Sequence, residues 1–211
     1  MIKQDWQKFK LIFFEECCKL ACEAKSENKP KYFTEKKFKN KKVENLITYD
    51  YVEKMKEKSY DKSIAISCGS DEKRGTDSND IINPDITFST FNNKLKTFFE
   101  CKILGANSKY IDDGIHRFII EKYGFVNMPF YGMLGYVRDS DSAVLRYKDN
   151  LEKSINDQKN DLNLTSQEII ENSDLQVVFK TKHTITDQKC NPKIEITHIL
   201  HSWESPLATT V

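Results

Sequence analysis

The sequence lacks a glycine-rich phosphate-binding loop. Its seven glycines form neither a Walker-type loop nor a G-x-G-x-x-G run, and no internal repeat is visible. Such loops cradle phosphates through backbone N–H groups, which requires glycine at fixed positions. The sequence therefore argues against nucleotide hydrolysis by that route.

Long apolar runs are absent as well. The apolar stretch at residues 11–14 is far too short to cross a bilayer, and no signal peptide is visible. We therefore expect no membrane association and a cytoplasmic location.

The six cysteines form no paired C-x-x-C framework with the spacing of a zinc site. Cys18 and Cys22 lie one helical turn apart, which permits a shared metal but is more typical of small buried side chains. Cys101 or Cys190 with a histidine such as His183 defines a weaker hypothesis, a cysteine-dependent hydrolase. We expect reduced thiols throughout.

Charge is balanced over the chain but unevenly distributed along it. The 211 residues suffice for one domain with a single core, and their net charge is only +1. Residues 1–60 carry 15 Lys and 10 Asp or Glu, a net of +5. Between residues 29 and 42, seven lysines are interleaved with Tyr32, Phe33 and Phe38. This pattern suits phosphate backbones and unstacked bases, although a solvated lysine-rich helix has the same composition.

Hydrophobic spacing gives a coarse organisation for the first third of the chain. It predicts a helix over residues 4 to about 25, and a second helix from residue 34 to residue 48 or 58. Residues 63–67 read as a short helix end or a strand. Residues 68–83 are rich in Gly, Ser, Asp and Asn, which predicts either a loop that moves over a substrate or a segment without fixed structure.

Two carboxylates and a lysine stand out in the middle of the chain. Asp85 follows Pro84 at the start of a predicted strand, and Glu100 and Lys102 lie in a strongly apolar strand fifteen residues later. Because side chains alternate along a strand, Glu100 and Lys102 share one face and Cys101 points to the other. Residues 91–94 contain two asparagines, which tolerate the left-handed backbone of a turn. The sequence therefore predicts a hairpin with one polar and one apolar face.

This set of side chains is the minimum for metal-assisted cleavage of a phosphodiester. A divalent cation takes hard anionic oxygen ligands, and it polarises the phosphate and lowers the pKa of a bound water. A lysine beside it orients or deprotonates that water, or neutralises the developing charge. The alternative is a surface hairpin with ordinary charges, but charges within a central strand are unusual unless paired or functional.

Asp85 followed by Glu100-x-Lys102 resembles the PD-(D/E)XK nuclease superfamily, the restriction-endonuclease-like fold. A predicted helix over residues 110–119, a strand over residues 131–137 and a late hairpin at residues 177–183 and 194–200 extend the resemblance to residues 40–203. It implies an α/β (α+β) fold with a central mixed β-sheet flanked by helices. Its one specific motif is the triad, and no named subfamily is indicated.

The resemblance also implies roles for the residues. Asp85, Glu100 and the backbone carbonyl of Cys101 would hold Mg²⁺ or Mn²⁺, and Lys102 would position or activate the attacking water. The superfamily often adds an acidic residue from a preceding helix, and two residues qualify, Glu44 and Glu16. We favour Glu44, because its helix directly precedes the hairpin.

The resemblance implies that the substrate is nucleic acid, DNA in preference to RNA, cleaved in bacterial antiviral defence or restriction. Guanidinium groups pair bidentately with phosphate oxygens, which makes the arginine of the helix after the hairpin the better phosphate ligand there, whereas a lone histidine such as His116 is more often structural. The predicted nucleic-acid contacts are Arg117, Tyr110, Lys73, Arg74, Lys36 and Lys37. The second hypothesis is a non-catalytic nucleic-acid-binding or accessory subunit on the same fold.

We expect one nuclease-like domain over residues 1–211. Within it, residues 1–60 form a helical, basic part, residues 61–138 the catalytic core, residues 139–174 a polar helical arm, and residues 175–203 a closing β-hairpin. In the arm, Thr165 to Glu168 resembles a capping box. Endo or exo action, sequence specificity, oligomeric state and a partner protein stay open. Cutting both strands of a duplex would favour a symmetric homodimer.

Overall fold

The computed structural model describes residues 2–24, 40–60, 62–69, 84–104, 107–120, 128–137, 143–172, 176–185 and 193–202. Its helical elements are α1 (Ile2–Glu23), α2 (Asn40–Ser59), α3 (Asn107–Tyr110), a π-helical turn (Ile111–Ile115), α4 (His116–Ile119) and α5 (Ala143–Asp157). Its strands are β1 (Ile64–Cys68), β2 (Ile86–Thr90), β3 (Lys96–Leu104), β4 (Phe130–Val137), β5 (Leu164–Asn172), β6 (Gln176–Thr184) and β7 (Lys193–Ser202).

The seven strands that the structure describes join one mixed sheet in the order β1-β2-β3-β4-β7-β6-β5. The central strands β3, β4 and β7 run parallel, and the pairs on either side of them are antiparallel. All but the first residue of β4 are buried, as expected for a parallel strand covered on both faces. The predicted fold class, a central mixed sheet flanked by helices, is confirmed.

Helices cover both faces of the sheet and create two apolar cores. α1 and α2 pack on the face that carries Phe99 and Cys101. The helices after β3, together with α5, pack on the face that carries Phe98 and Leu104. β3 therefore alternates its side chains between the two cores, and Glu100 and Lys102 share a face, as predicted. Phe98 and Leu104 lie on that same face, so the predicted division into one polar and one apolar face is wrong for β3.

β2 and β3 form the predicted hairpin. Asn93 adopts a left-handed φ of 53° in the connecting turn, which is closed by the Thr90 N–H donating to the Leu95 carbonyl at 3.1 Å. The last pair of the ladder is Ile86 opposite Phe99, and β3 continues beyond it. The backbone N–H groups of β3 after Phe99 therefore have no partner residue on β2 and are available to side chains.

The helix predicted after the hairpin is confirmed, with one feature that the sequence did not reveal. Its predicted apolar positions are all buried; they are Ile111, Ile115, Phe118 and Ile119. The helix changes to π-helical geometry over its middle five residues. Within this turn, Gly114 lies against the side chain of Met133 on β4, and a Cβ at this position would require the end of that methionine to shift.

The segment predicted as a polar helical arm is half helix and half strand, so this prediction is partly wrong. α5 buries Val144, Leu151 and Ile155 against the sheet. Leu164–Asn172 forms β5, which pairs antiparallel with β6, so the capping box predicted at Thr165 is wrong. β5 is an edge strand of mostly polar residues, and its two isoleucines, Ile169 and Ile170, are exposed and adjacent, so they do not alternate as in a half-buried strand. The predicted closing hairpin is confirmed as β6 and β7.

Two further expectations concern membranes and thiols. In the parts of the chain that the structure describes, no helix is both long and apolar enough to span a bilayer. The five described cysteines carry free thiols, as expected; they are Cys17, Cys18, Cys22, Cys68 and Cys101.

A chain of hydrogen bonds runs through the core under α3 and α5. His183 Nδ1 lies 2.7 Å from the Leu162 carbonyl, and its Nε2 lies 2.8 Å from Thr181 Oγ1. Thr181 Oγ1 also lies 2.8 Å from His198 Nε2, and His198 Nδ1 lies 3.1 Å from the Tyr110 hydroxyl. Because a carbonyl only accepts, His183 donates through Nδ1. With both rings neutral, the directions of the other hydrogen bonds follow. The Thr181 hydroxyl donates to His183 Nε2, His198 Nε2 donates to Thr181, and the Tyr110 hydroxyl donates to His198 Nδ1.

This chain predicts that the protein loses stability in mild acid. Burial lowers the pKa of His183 to about 4 and that of His198 well below its ordinary value. Unfolded histidine titrates near pH 6.5, so the unfolded state binds protons first and stability falls as the pH drops below that point. We expect urea denaturation to show a loss of about 2 kcal/mol per buried histidine between pH 7 and pH 5.

His183→Gln removes one of the two histidines of this hydrogen-bond chain, so it should remove about 2 kcal/mol of the pH-dependent loss. Equal free energies of unfolding at pH 7 and pH 5 in the wild type would contradict the claim that His183 and His198 stay neutral in the folded protein.

Candidate active site

The predicted triad meets where β2 begins. Asp85 directly precedes β2, and Glu100 and Lys102 lie two residues apart on β3, so their side chains share a face. α2 brings Glu44 to the edge of β3, and α4 brings Arg117 to Glu100. The structure therefore gathers the triad, the favoured third carboxylate and the predicted arginine in one place.

The ammonium group of Lys102 is the centre of this cluster. Its Nζ donates to Glu100 Oε2 at 2.9 Å, to the Cys101 carbonyl at 2.9 Å and to Asp85 Oδ2 at 3.4 Å. Glu44 Oε1 lies 3.9 Å from the same nitrogen. Three oxygens that the nuclease resemblance assigns to a metal thus converge on one cationic group.

Two of the carboxylates are fixed by the backbone edge of β3. The Cys101 N–H donates to Asp85 Oδ2 at 2.8 Å, and the Ile103 N–H donates to Glu44 Oε2 at 3.0 Å. These N–H groups lie two residues apart and therefore on the same edge of the strand. Asp85 and Glu44 thus accept the hydrogen bonds of two β3 N–H groups that lie beyond the last residue pair with β2. Lys102 Nζ lies 3.4 Å from the same Asp85 oxygen, Oδ2, and 3.9 Å from the other Glu44 oxygen, Oε1.

Burial differs among the charged groups and orients the site. The Glu100 side chain is fully buried, whereas the side chains of Asp85 and Glu44 are 31% and 22% exposed. Solvent therefore reaches the cluster from the side of Asp85 and Glu44, with Glu100 at the bottom.

The electrostatic effects on the two titrating groups follow from this arrangement. Burial by itself lowers the pKa of Lys102, but the carboxylates of Glu100, Asp85 and Glu44 outweigh it and hold that pKa above its ordinary value. Burial raises the pKa of Glu44, although Lys102 and the Ile103 N–H oppose the rise. Lys102 is therefore charged at neutral pH.

Arg117 is the second cation of the cluster. Its Nη1 lies 3.3 Å from Glu100 Oε2, and its Nη2 lies 3.9 Å from Asp113 Oδ1 on the preceding turn. Asp113 is 55% exposed, so the guanidinium extends from the buried carboxylate to the surface.

Tyr110, predicted to face a substrate phosphate, is a correction. The side chain is fully buried, its hydroxyl pairs with His198, and burial raises the pKa of the phenol. The prediction failed because Tyr110 begins the turn that packs onto the sheet, which directs its ring inward.

The remaining predicted residues lie elsewhere or are not described. Glu16, the second choice for the helix carboxylate, pairs with Lys62 at 3.5 Å and does not enter the cluster. Lys36, Lys37, Lys73 and Arg74 lie outside the described residues, so their predicted contacts with nucleic acid stay predictions.

The cysteine hydrolase hypothesis does not survive for Cys101. Its side chain is fully buried in the core under α1 and α2, and burial raises the pKa of the thiol well above its ordinary value. His183 is likewise buried, within the hydrogen-bond chain. Cys190 lies outside the described residues.

Two residues near the site were missed from the sequence. Lys109 is exposed at the start of the helix after β3 and near enough to Glu44 to lower the pKa of that carboxyl. Asp113 meets Arg117 across one helical turn, and this four-residue spacing of opposite charges was a readable signal.

The oxygen atoms that surround Lys102 are of the chemical types that bind a hard divalent cation. Carboxylates and a backbone carbonyl are typical ligands of such ions, and here two carboxylates and the Cys101 carbonyl already surround one positive charge. Among the described residues, no group of three or more His, Cys, Asp or Glu side chains is arranged to hold a metal. The third oxygen of the cluster comes from the backbone, and Glu44 stands farther off.

Comparisons with protein-family models, curated proteins and solved structures found no match to this chain. The resemblance to PD-(D/E)XK nucleases therefore stays a prediction.

Gly69, just after β1, controls the position of Asp85. Its N–H donates to the Asp85 carbonyl at 2.9 Å, and a Cβ on Gly69 would overlap the carbonyl oxygen of Pro84. Because backbone has to move to admit this atom, we expect Gly69→Ala to displace Asp85 and to destabilise the protein by about 1–3 kcal/mol. Urea denaturation tests the stability, and Mn²⁺ titration tests the site.

The matched control is Ser67→Ala on β1, a half-buried position where a small side chain is already present. Unchanged stability together with unchanged Mn²⁺ affinity in Gly69→Ala would contradict this role of Gly69.

Proposed function

We propose that the chain is a metal-dependent nuclease that hydrolyses phosphodiester bonds of nucleic acid. The observation that carries the proposal is the convergence of Asp85 Oδ2, Glu100 Oε2 and the Cys101 carbonyl on the Lys102 ammonium group, all within 3.4 Å. The predicted cation ligands are thus already assembled around a positive charge.

Asp85, Glu100 and the Cys101 carbonyl would hold Mg²⁺ or Mn²⁺. When bound, such an ion polarises the phosphodiester and lowers the pKa of the attacking water. Glu44, fixed by the Ile103 N–H, would support the site from its open side. The buried position of Glu100 would keep its carboxylate in one orientation.

Lys102 would position or activate the attacking water in this proposal. Its Nζ lies 2.9 Å from Glu100 Oε2 and 2.9 Å from the Cys101 carbonyl, so the amine stands beside the proposed ligands of the ion. Its positive charge also opposes the negative charge that develops on the phosphate.

The substrate and the biological role come from the resemblance. It favours DNA over RNA and a role in defence or restriction. These are proposals by analogy of fold and motif, because function belongs to the site rather than to the fold.

A cleavage assay over several substrates tests the proposed function. Single-stranded and duplex DNA and RNA are incubated with the purified chain in Mg²⁺, in Mn²⁺ and in EDTA. We expect cleavage of at least one substrate with either metal and none in EDTA. The matched control is Glu16→Gln, which removes an acidic side chain outside the cluster and should cleave like the wild type.

The second candidate is a non-catalytic nucleic-acid-binding or accessory subunit on the same fold. The observation that favours it is the Lys102 ammonium group, which already neutralises the carboxylates as a structural cation would. Binding of nucleic acid without cleavage in any metal, together with no calorimetric signal for Mg²⁺ or Mn²⁺, would support this candidate over the nuclease.

A further inference from the structure

Arg117 contacts a buried carboxylate that the proposed function assigns to the metal. Its Nη1 lies 3.3 Å from Glu100 Oε2, the same oxygen that accepts from Lys102 at 2.9 Å. Glu100 is fully buried, and the Arg117 side chain is 24% exposed. The same guanidinium reaches the exposed Asp113, with Nη2 3.9 Å from Asp113 Oδ1, so Arg117 connects the buried carboxylate to the protein surface.

Two contacts fix the helical segment that leads to Arg117. Tyr110 anchors its start through His198, and Gly114 of the π-helical turn lies against the side chain of Met133. π-Helical turns are rare and are frequent at functional sites. The backbone under Arg117 is thus held, so a change of partner would have to come from the side chain.

The charges around Arg117 give it a reason to change partner. Its guanidinium contacts Glu100 and Asp113, and Asp85 and Glu44 complete the carboxylates around the second cation, Lys102. A divalent cation held by Glu100 repels the guanidinium, because two positive charges then share one carboxylate. A substrate phosphodiester bound beside the ion would offer the guanidinium a bidentate partner.

We propose that Arg117 is shared between Glu100 and the substrate phosphate: it pairs with Glu100 in the metal-free protein and transfers to the phosphodiester when a divalent cation binds. Metal and nucleic acid then assist each other's binding through this one side chain, and the coupling is reciprocal. The inference rests on the proposed function, and it names a regulation of the same site.

Calorimetric titration of Mn²⁺ into the wild type and Arg117→Met tests this inference. Each titration is done with the protein alone and with a short phosphorothioate oligonucleotide, single-stranded or duplex. Without oligonucleotide, Arg117→Met should bind Mn²⁺ about tenfold more tightly, because the competing cation on Glu100 is gone. In the wild type, the oligonucleotide should tighten Mn²⁺ binding about tenfold, and Arg117→Met should lose most of that gain.

Two further variants separate coupling from general damage. Arg117→Lys keeps a positive charge without the bidentate fork, so it should keep wild-type Mn²⁺ affinity and show a reduced oligonucleotide effect. Arg146→Met removes an exposed arginine of α5 and should behave like the wild type in both titrations. A variant that only loosened the site would bind Mn²⁺ more weakly, which is the opposite of the expected change.

The outcomes distinguish this inference from the proposed function. Mn²⁺ affinity that is unchanged or weaker in Arg117→Met, or an oligonucleotide effect that survives in it, overturns the sharing of Arg117 while the nuclease proposal stands. A wild type that binds no Mn²⁺ overturns both.

Discussion

Asp85→Asn is expected to reduce metal-dependent cleavage of nucleic acid by about 10³-fold and to leave the fold intact. The substitution removes one of the two carboxylates that would hold the ion, and a metal contributes several kcal/mol to the stabilisation of the transition state. The amide oxygen of asparagine still accepts from the Cys101 N–H, which donates to Asp85 Oδ2 at 2.8 Å. Single-turnover rates and urea denaturation measure the two halves of this expectation.

The control is Asp161→Asn in the exposed turn after α5, which should change neither quantity. Cleavage by Asp85→Asn at more than a tenth of the wild-type rate would exclude Asp85 as a metal ligand. A collapse of stability in the same variant would instead make Asp85 a structural residue of the β2–β3 edge.

Lys102→Met is expected to destabilise the metal-free protein by about 3 kcal/mol, because it removes the cation that donates at 2.9 Å to the fully buried Glu100. The methionine fills similar volume, so lost packing accounts for little of the change. Added Mn²⁺ should restore the stability, because an ion that binds only the folded protein raises the free energy of unfolding of that protein. Cleavage should stay abolished, because the ion replaces the charge of Lys102 and not its hydrogen bonds to water.

Melting temperatures in EDTA and in Mn²⁺ measure this rescue. Lys153→Met on the exposed side of α5 is the control and should show the wild-type response to Mn²⁺. Destabilisation by Lys102→Met that Mn²⁺ does not reverse would make Lys102 a structural cation and would favour the accessory-subunit candidate.

The site could be predicted from sequence where local rules and burial agreed. Period-two alternation in an apolar strand put Glu100 and Lys102 on one face, and the asparagines at residues 92 and 93 marked the turn. The choice of Glu44 over Glu16 was right in position, because the helix that directly precedes the sheet reaches the edge of β3. Chain order alone was enough for that choice.

The failures arose where tertiary contacts decided the outcome. β5 has a polar composition that reads as helix or loop, and only its pairing with β6 makes it a strand. Tyr110 was predicted to contact nucleic acid, but its ring is fully buried just ahead of the π-helical turn. No spacing rule in the sequence marks such a turn.

The central claim is that Asp85, Glu100 and the Cys101 carbonyl form a site for one divalent cation. Calorimetric titration of Mn²⁺ at neutral pH into the wild type and Asp85→Asn tests it most directly. We predict saturable binding of one ion per chain in the wild type and none in Asp85→Asn. Equal binding in the two proteins, or none in either, would contradict the assignment.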